Sequence, residues 1–376
     1  MWSRQIPRWA LLLAATAVVT APLTMLGVPS AALFAALVVG IVLALVSAGP
    51  ARVPRTLGVA AQGVLGVYIG TMVRQDAFGA LSGDWWIVSC VAVATLLLSI
   101  VAGALLGLHR DVDPLTGSLA LVAGGASGLV AIARELGGDD RVVAVVQYLR
   151  VALVTASMPV VVTLVYRADT SRSAETSTAT GDPAPWYLGL AILAALVVVG
   201  ATLGRLIRLP GAGLLGPLAL TAGLELTGLS FGLSVPVVLV QAGYMLIGWQ
   251  AGLAFTRASL KAVGRVLPAA IALIVMLGVT TAGLGVLLAH VAGLTPLEGY
   301  LATSPGGVYA VLATAVETGS NVTFVIAAQV VRILLMLFGA PLMARTVVWA
   351  SRRLGPQPAQ SRSITAESRE PIRVAD

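Results

Sequence analysis

Charge is what this chain has least of. Only 10% of its 376 residues are Asp, Glu, Lys or Arg, while 58% are hydrophobic and the mean hydropathy is +0.96. A soluble domain carries about 25% charged residues to wet its surface. The shortage excludes a water-soluble globule and makes lipid the main solvent. Metal-binding residues are nearly missing too. The single cysteine, Cys90, excludes an internal disulfide. Together with two histidines at segment ends, His109 and His290, it cannot assemble a typical Zn, Cu or Fe centre. No Gly-rich phosphate loop is followed by Lys, and no Ser/His/Asp set is arranged for hydrolysis. The expectation is a protein that is not an enzyme, has no catalytic residues, binds no metal and needs no cofactor.

Among the charges that remain, 22 Arg and the lone Lys261 outnumber acids, giving a net charge of +7 and a pI near 10.2. These cations lie in short loops and the C-terminal tail, not along a stripe. That pattern fits cytoplasmic loops of a membrane protein and not nucleic-acid binding.

Apolar stretches close to spanning length recur at 10–28, 31–48, 56–73, 85–107, 116–136, 142–166, 187–207, 211–228, 235–255, 266–291, 298–317 and 322–344. Residues 167–185, rich in Ser, Thr, Asp and Ala, read as a flexible linker between a first membrane repeat, 1–166, and a second, 186–350. Residues 351–376 read as a disordered cytoplasmic tail. Arg4 and Arg8 before the first apolar run resemble a signal peptide, but 187–207 holds the equivalent place in the second half, so the segment is expected to be retained.

The two halves superimpose without a gap once Gln147 is laid on Gln329. The same register lays Arg150 on Arg332, Gly66 and Gly70 on Gly248 and Gly252, and Pro114 and Gly117 on Pro296 and Gly299. Gly124 and Gly125 fall on Gly306 and Gly307, Glu135 on Glu317, Gly137 on Gly319, and Pro159 on Pro341. Between 113–160 and 295–342, sixteen of forty-eight positions are identical. Shared Ala, Leu and Val can follow from composition; Gln, Arg, Glu and Pro in one register point to duplication.

Charge placement decides the relative orientation. If all twelve segments cross, Arg74, Arg134, Arg141, Arg205, Arg208, Arg257, Lys261 and Arg265 face out, against the positive-inside bias. If 116–136 and 298–317 enter and leave on one side, each half crosses five times and the second is inverted. Then only Arg74, Arg167 and Arg172 face out, and both ends of the chain are cytoplasmic. The expected fold is therefore an all-α polytopic membrane protein of two homologous, inverted repeats, with about ten transmembrane helices plus two re-entrant or broken helical segments. Those two segments have Gly124-Gly125-Ala126-Ser127-Gly128 and Ser304-Pro305-Gly306-Gly307 at their middles. Paired Gly/Pro interruptions in two halves are a sequence pointer to a transporter's binding site. A continuous helix using Gly for close packing is the alternative.

Arg150 and Arg332 lie nine or ten residues inside apolar segments, where a charge costs at least about 2.5–3.5 kcal/mol. Gln147 and Gln329 share their helix face. These pairs could present donors to an anionic substrate, and each guanidinium could tie down carbonyls freed at a re-entrant tip; the two readings need not exclude each other. Ser127, Ser304, Pro305 and Tyr309 are further candidate linings of a substrate site. Glu135 and Glu317 could carry a coupling ion or proton, could pair with the Arg residues, or could be solvated helix ends. Glu225 stands in an apolar run without a counterpart in the first half. Gly66-x-x-x-Gly70 and Gly248-x-x-x-Gly252 read as helix-packing patterns.

The ordered set Gly124-Gly125, Glu135, Gln147-x-x-Arg150 and Ser304-Pro305-Gly306-Gly307, Glu317, Gln329-x-x-Arg332 resembles the AbrB family of duplicated bacterial membrane proteins over about residues 10–350. The resemblance implies a bacterial inner-membrane protein linked to regulation of gene expression. Members have also been labelled ammonia monooxygenases, but oxygen activation at copper or iron needs clustered ligands that this chain lacks. A small DNA-binding regulator shares the family's name; nothing here looks like that fold. Two functions compete. One is a secondary transporter for a small anionic or polar solute, rocking about the Gly tips and the Gln/Arg pairs. The other is a membrane regulator or sensor acting on gene expression through a cytoplasmic partner. The expected partners are a small solute and the lipid bilayer; a homo-oligomer is left open.

Overall fold

The computed structural model describes residues 5–73, 75–122, 126–168, 186–207, 209, 211–228 and 233–354. Most of the expected linker at 167–185 and of the expected tail at 351–376 falls outside them. Among the described residues all regular structure is helical: α1 Gln5–Met25, α2 Ala31–Leu45, α3 Arg55–Gly70, α4 Gln75–Leu106, α5 Pro114–Leu121, α6 Ala126–Leu136 and α7 Asp140–Val160. After the linker come α8 Trp186–Leu206, α9 Ala212–Leu226, α10 Val237–Gly252, α11 Arg257–Ala262, α12 Leu267–Ala292, α13 Pro296–Thr303, α14 Val308–Glu317 and α15 Val322–Leu354. Five stretches are long and apolar enough to cross a membrane: Gln5–Met25, Trp85–Leu106, Asp140–Val165, Tyr187–Leu206 and Leu267–Ala292. With the shorter apolar helices beside them, they make this a multi-pass membrane protein.

Two helices outrun the apolar pattern. α4 begins at Gln75, well ahead of the expected border at 85, and α15 continues to Leu354. The borders of an apolar run mark where lipid ends, not where a helix must stop, and no proline interrupts either extension. The loop expected at 256–265 likewise contains α11.

The helices sort into two packed groups. α1, α2 and α3 pack with α8, α9 and α10; α4 to α7 pack with α12 to α15. Within the first group the contacts cross between the halves of the chain: α10 lies on α2, and α3 lies on α9. Glycine makes both contacts close. A Cβ at Gly66 would stand 2.5 Å from the Leu214 carbonyl oxygen, and one at Gly248 would stand 2.5 Å from that of Leu33. In the second group, the short helices α5 and α13 press on α4 and α12 in the same manner. There Gly117 meets Gly103 and Gly107, and Gly299 meets Gly285. In lipid, such backbone proximity supplies the dispersion contacts that the hydrophobic effect supplies in water.

Gly66→Ala and Gly248→Ala are each expected to destabilise the protein by about 1–3 kcal/mol, because the new methyl group meets backbone. Gly223→Ala, where nothing lies within 4 Å, should leave thermal unfolding in detergent unchanged.

Candidate functional site

Both segments that carry Gly or Pro at their middles are broken. The first stops at Leu121 and resumes at Ala126; the second stops at Thr303 and resumes at Val308. Their starts are fixed locally. Asp113 caps α5 by accepting from the Thr116 N–H at 2.9 Å, ahead of Pro114 at the first helical position. Thr295 and Glu298 form a capping box on α13, again ahead of a proline, Pro296.

The two arms of each broken segment fold back together. The Asp139 N–H, just beyond α6, donates to Thr116 Oγ1 in the first turn of α5 at 2.8 Å. The Asn321 N–H, just beyond α14, donates to Glu298 Oε1 in the first turn of α13 at 2.7 Å. A continuous helix would hold either pair roughly 35 Å apart, at about 1.5 Å per residue. Each segment is thus a hairpin closed at its base. The two bonds join corresponding positions, Asp139 matching Asn321 and Thr116 matching Glu298 in the register that lays Gln147 on Gln329.

The tips are held by the four residues singled out for burial. Gln147 and Gln329 are 0% exposed, Arg150 4% and Arg332 3%. Gln147 Nε2 donates to the carbonyls of Leu119 at 2.9 Å and Val122 at 2.7 Å, and Arg150 Nη1 donates to Leu121 at 3.2 Å. Gln329 Nε2 donates to Leu301 at 2.8 Å and to Ala302 and Ser304 at longer range. Arg332 Nη1 donates to Thr303 at 3.3 Å and also to Ser304. The acceptors Leu119, Leu121 and Val122 correspond, in the same register, to Leu301, Thr303 and Ser304.

The cause is the end of a helix in the protein interior. The last carbonyls of α5 and α13 have no partner in their own helix, and they belong to residues buried away from water. Donors on the neighbouring helix satisfy them, and the cation faces the negative end of the helix dipole. Each guanidinium also keeps an unused donor. Arg150 Nε and Arg332 Nε have no hydrogen-bond partner among the described residues. The two halves of the chain meet here, since a Cβ on Gly306 would stand 3.1 Å from the side chain of Val154 on α7. A small cavity of about 10 Å³, lined by Thr95, Leu288, Ala302 and Thr303 among others, reaches Arg332. It has the room of about one water molecule.

Of the remaining expected site residues, Ser304, Pro305 and Gly306 are buried, while Gly307 and Tyr309 are half-buried. Gly124 and Gly125 lie outside the described residues, and Ser127 begins α6 with its side chain outside them. The carboxylates differ. Glu135 is exposed, whereas Glu317 is half-buried and accepts the Ser30 N–H. Glu135 makes no salt bridge to Arg150 or Arg332 among the described residues. Glu225 is half-buried near the end of α9, away from the tips.

Sequence reasoning missed Thr155, which is buried with its hydroxyl unpartnered among the described residues. It lies 3.5 Å from the position of a Cβ on Gly307, the uncapped start of α14. A polar residue one turn beyond Arg150 is the only signal the sequence carries for it. Ser30 was missed too. Pro29-Ser30-Ala31 matches Pro210-Gly211-Ala212 only when the halves are slid one position off the register used to find the repeat.

The family described as "Transition state regulatory protein AbrB" matches residues 32–348. Over 340 residues the chain is 31% identical to "Putative regulator AbrB" of Escherichia coli strain K12, covering 90% of this chain and 96% of that one. Over 299 residues it is 27% identical to "Uncharacterized protein YhjN" of Bacillus subtilis strain 168, covering 73% and 74% respectively.

Gln147→Leu and Gln329→Leu each strip donors from buried carbonyls, and each is expected to cost about 1–3 kcal/mol. Thermal unfolding in detergent should show both falling by similar amounts, since the lost bonds match.

Proposed function

This chain belongs to the AbrB family of membrane proteins, and from that premise we propose that it is a secondary transporter for a small anionic or polar solute. The observation that carries the reading is the pair of closed hairpins, each broken at a buried tip, whose clamps recur at corresponding positions of the two halves of the chain. Non-helical backbone at membrane depth is tolerated where it is buried in protein or lines a cavity, and transporters place their sites at such interruptions.

In this reading the two halves are homologous and inverted, and the protein crosses the bacterial inner membrane ten times with both ends of the chain in the cytoplasm. The hairpins dip in from opposite sides and their tips meet at the midplane. Two observations support the inversion. It leaves only three loop arginines outside, in line with the positive-inside bias. It also sets the exposed Trp85, Trp86 and Tyr187 at the outer interface, where amphipathic rings concentrate.

The solute class follows from the second tip. α14 starts at Gly307 with no side chain capping it, so its first N–H groups and its positive dipole end face the centre. Thr155 adds a hydroxyl there that is unpartnered among the described residues, and Arg150 and Arg332 each keep an unpartnered Nε donor among them. The Gln/Arg pairs hold the tips by their other donors, and Glu135 and Glu317 remain the candidates for ion coupling. No catalytic step enters this reading.

A membrane regulator or sensor is the second reading, favoured by the name of the Escherichia coli relative. Flux separates the two. In proteoliposomes, a panel of radiolabelled small carboxylates, amino acids and inorganic phosphate should include one solute that enters at least tenfold faster than into protein-free vesicles. Thr155→Val should raise the KM for that solute without lowering the unfolding temperature. No uptake of any panel member would favour the regulator.

A further inference from the structure

We infer that Glu317 and Glu135 are alternating latches that close the central site toward opposite faces of the membrane, and that this structure has the Glu317 latch shut and the Glu135 latch open. What the latches serve rests on the transporter reading; the contacts themselves do not.

Glu317 ends α14, the returning arm of the second hairpin. Its carboxylate accepts the N–H of Ser30, the residue preceding α2. Ser30 is held in the left-handed region (φ 54°, ψ 37°), and its carbonyl accepts from Leu33 and Phe34. The positive end of α2 favours a carboxylate at this point. Tyr68 lies on α3, which packs against α14, and Tyr244 lies on α10, which packs against α2. The Tyr244 hydroxyl is buried with no hydrogen-bond partner among the described residues.

Each part of that latch has a mate. Gly211 precedes α9 in the same backbone conformation (φ 64°, ψ 36°), and its carbonyl accepts from Leu214 and Leu215. In the register of the repeat, Glu317 corresponds to Glu135, Tyr244 to Gln62 and Tyr68 to Gln250. Gln62 already lies against Gly213 in the first turn of α9. A carboxylate docked at Gly211 would therefore have two amide side chains where Glu317 has two phenols. In this structure Glu135 is exposed, and among the described residues no hydrogen bond joins it to Gly211. α6 makes no contact with α10 comparable to that of α14 with α3.

Two docking stations of matching backbone and matching polar surroundings, one filled and one empty, describe one of two conformations related by exchange of the halves. In the inverted orientation the filled latch closes the outer face and the empty one leaves the inner face open. The exchange moves the hairpin-bearing group of helices relative to α2, α3, α9 and α10, which the close glycine contacts hold together.

The test uses the full chain with Cys90→Ser in native membranes and the pair Glu135→Cys with Ala212→Cys. Under copper-phenanthroline the pair should form a disulfide, and adding Glu317→Ala should speed its formation at least threefold by freeing the outer latch. Size-exclusion chromatography checks that every variant is folded. A folded pair that does not crosslink, or one whose rate ignores Glu317→Ala, overturns the inference. Crosslinking needs no solute, so exchange without flux would refute the transporter reading and leave the latches standing. Flux without exchange would refute the latches alone.

Discussion

A helix that ends in a buried interior leaves carbonyl groups with no water to take them, and this requirement organises the protein. α5 and α13 each end in that way. Gln147 and Arg150 on one side, and Gln329 and Arg332 on the other, supply the missing donors. Once the four side chains are committed to that task, much else is fixed. α7 must run beside α5, and α15 beside α13. The hairpin bases close through Thr116 and Glu298, and both buried arginines come to the centre. A charge that is costly in lipid is thereby matched to helix ends that would otherwise be costly too.

The second constraint is glycine. α2, α3, α9 and α10 are short helices whose backbones approach so closely that a methyl group at Gly66 or Gly248 would meet a carbonyl oxygen. They pair across the two halves of the chain, α10 on α2 and α3 on α9, and the hairpin-bearing group sits beside them, clamped internally by its own hydrogen bonds.

Much of this was legible in the sequence, and the reasons are particular. The breaks after Leu121 and after Thr303 showed because Gly, or Gly with Pro, clusters at the middle of both apolar runs. The Gln/Arg pairs showed because polar side chains deep in an apolar run are scarce, and they do contact the tip carbonyls. Helix borders at 75–84 and 345–354 did not show, since helix and lipid end for different reasons. The difference between Glu135 and Glu317 could not show at all. The two residues occupy one register in the sequence, and only the conformation adopted separates an exposed carboxylate from one docked on α2. Thr155 was hidden because a lone hydroxyl in a helix more often bonds its own backbone than serves a site.

The central claim is that two hairpins enter the membrane from opposite faces. Site-directed labelling of a Cys90→Ser chain in intact cells tests it most directly, with an impermeant maleimide and single cysteines at Gly138, beyond the first hairpin, and at Ser320, beyond the second. The account predicts that Ser320→Cys is labelled from outside and Gly138→Cys only after the membrane is opened. Labelling of both positions from the same face would contradict it.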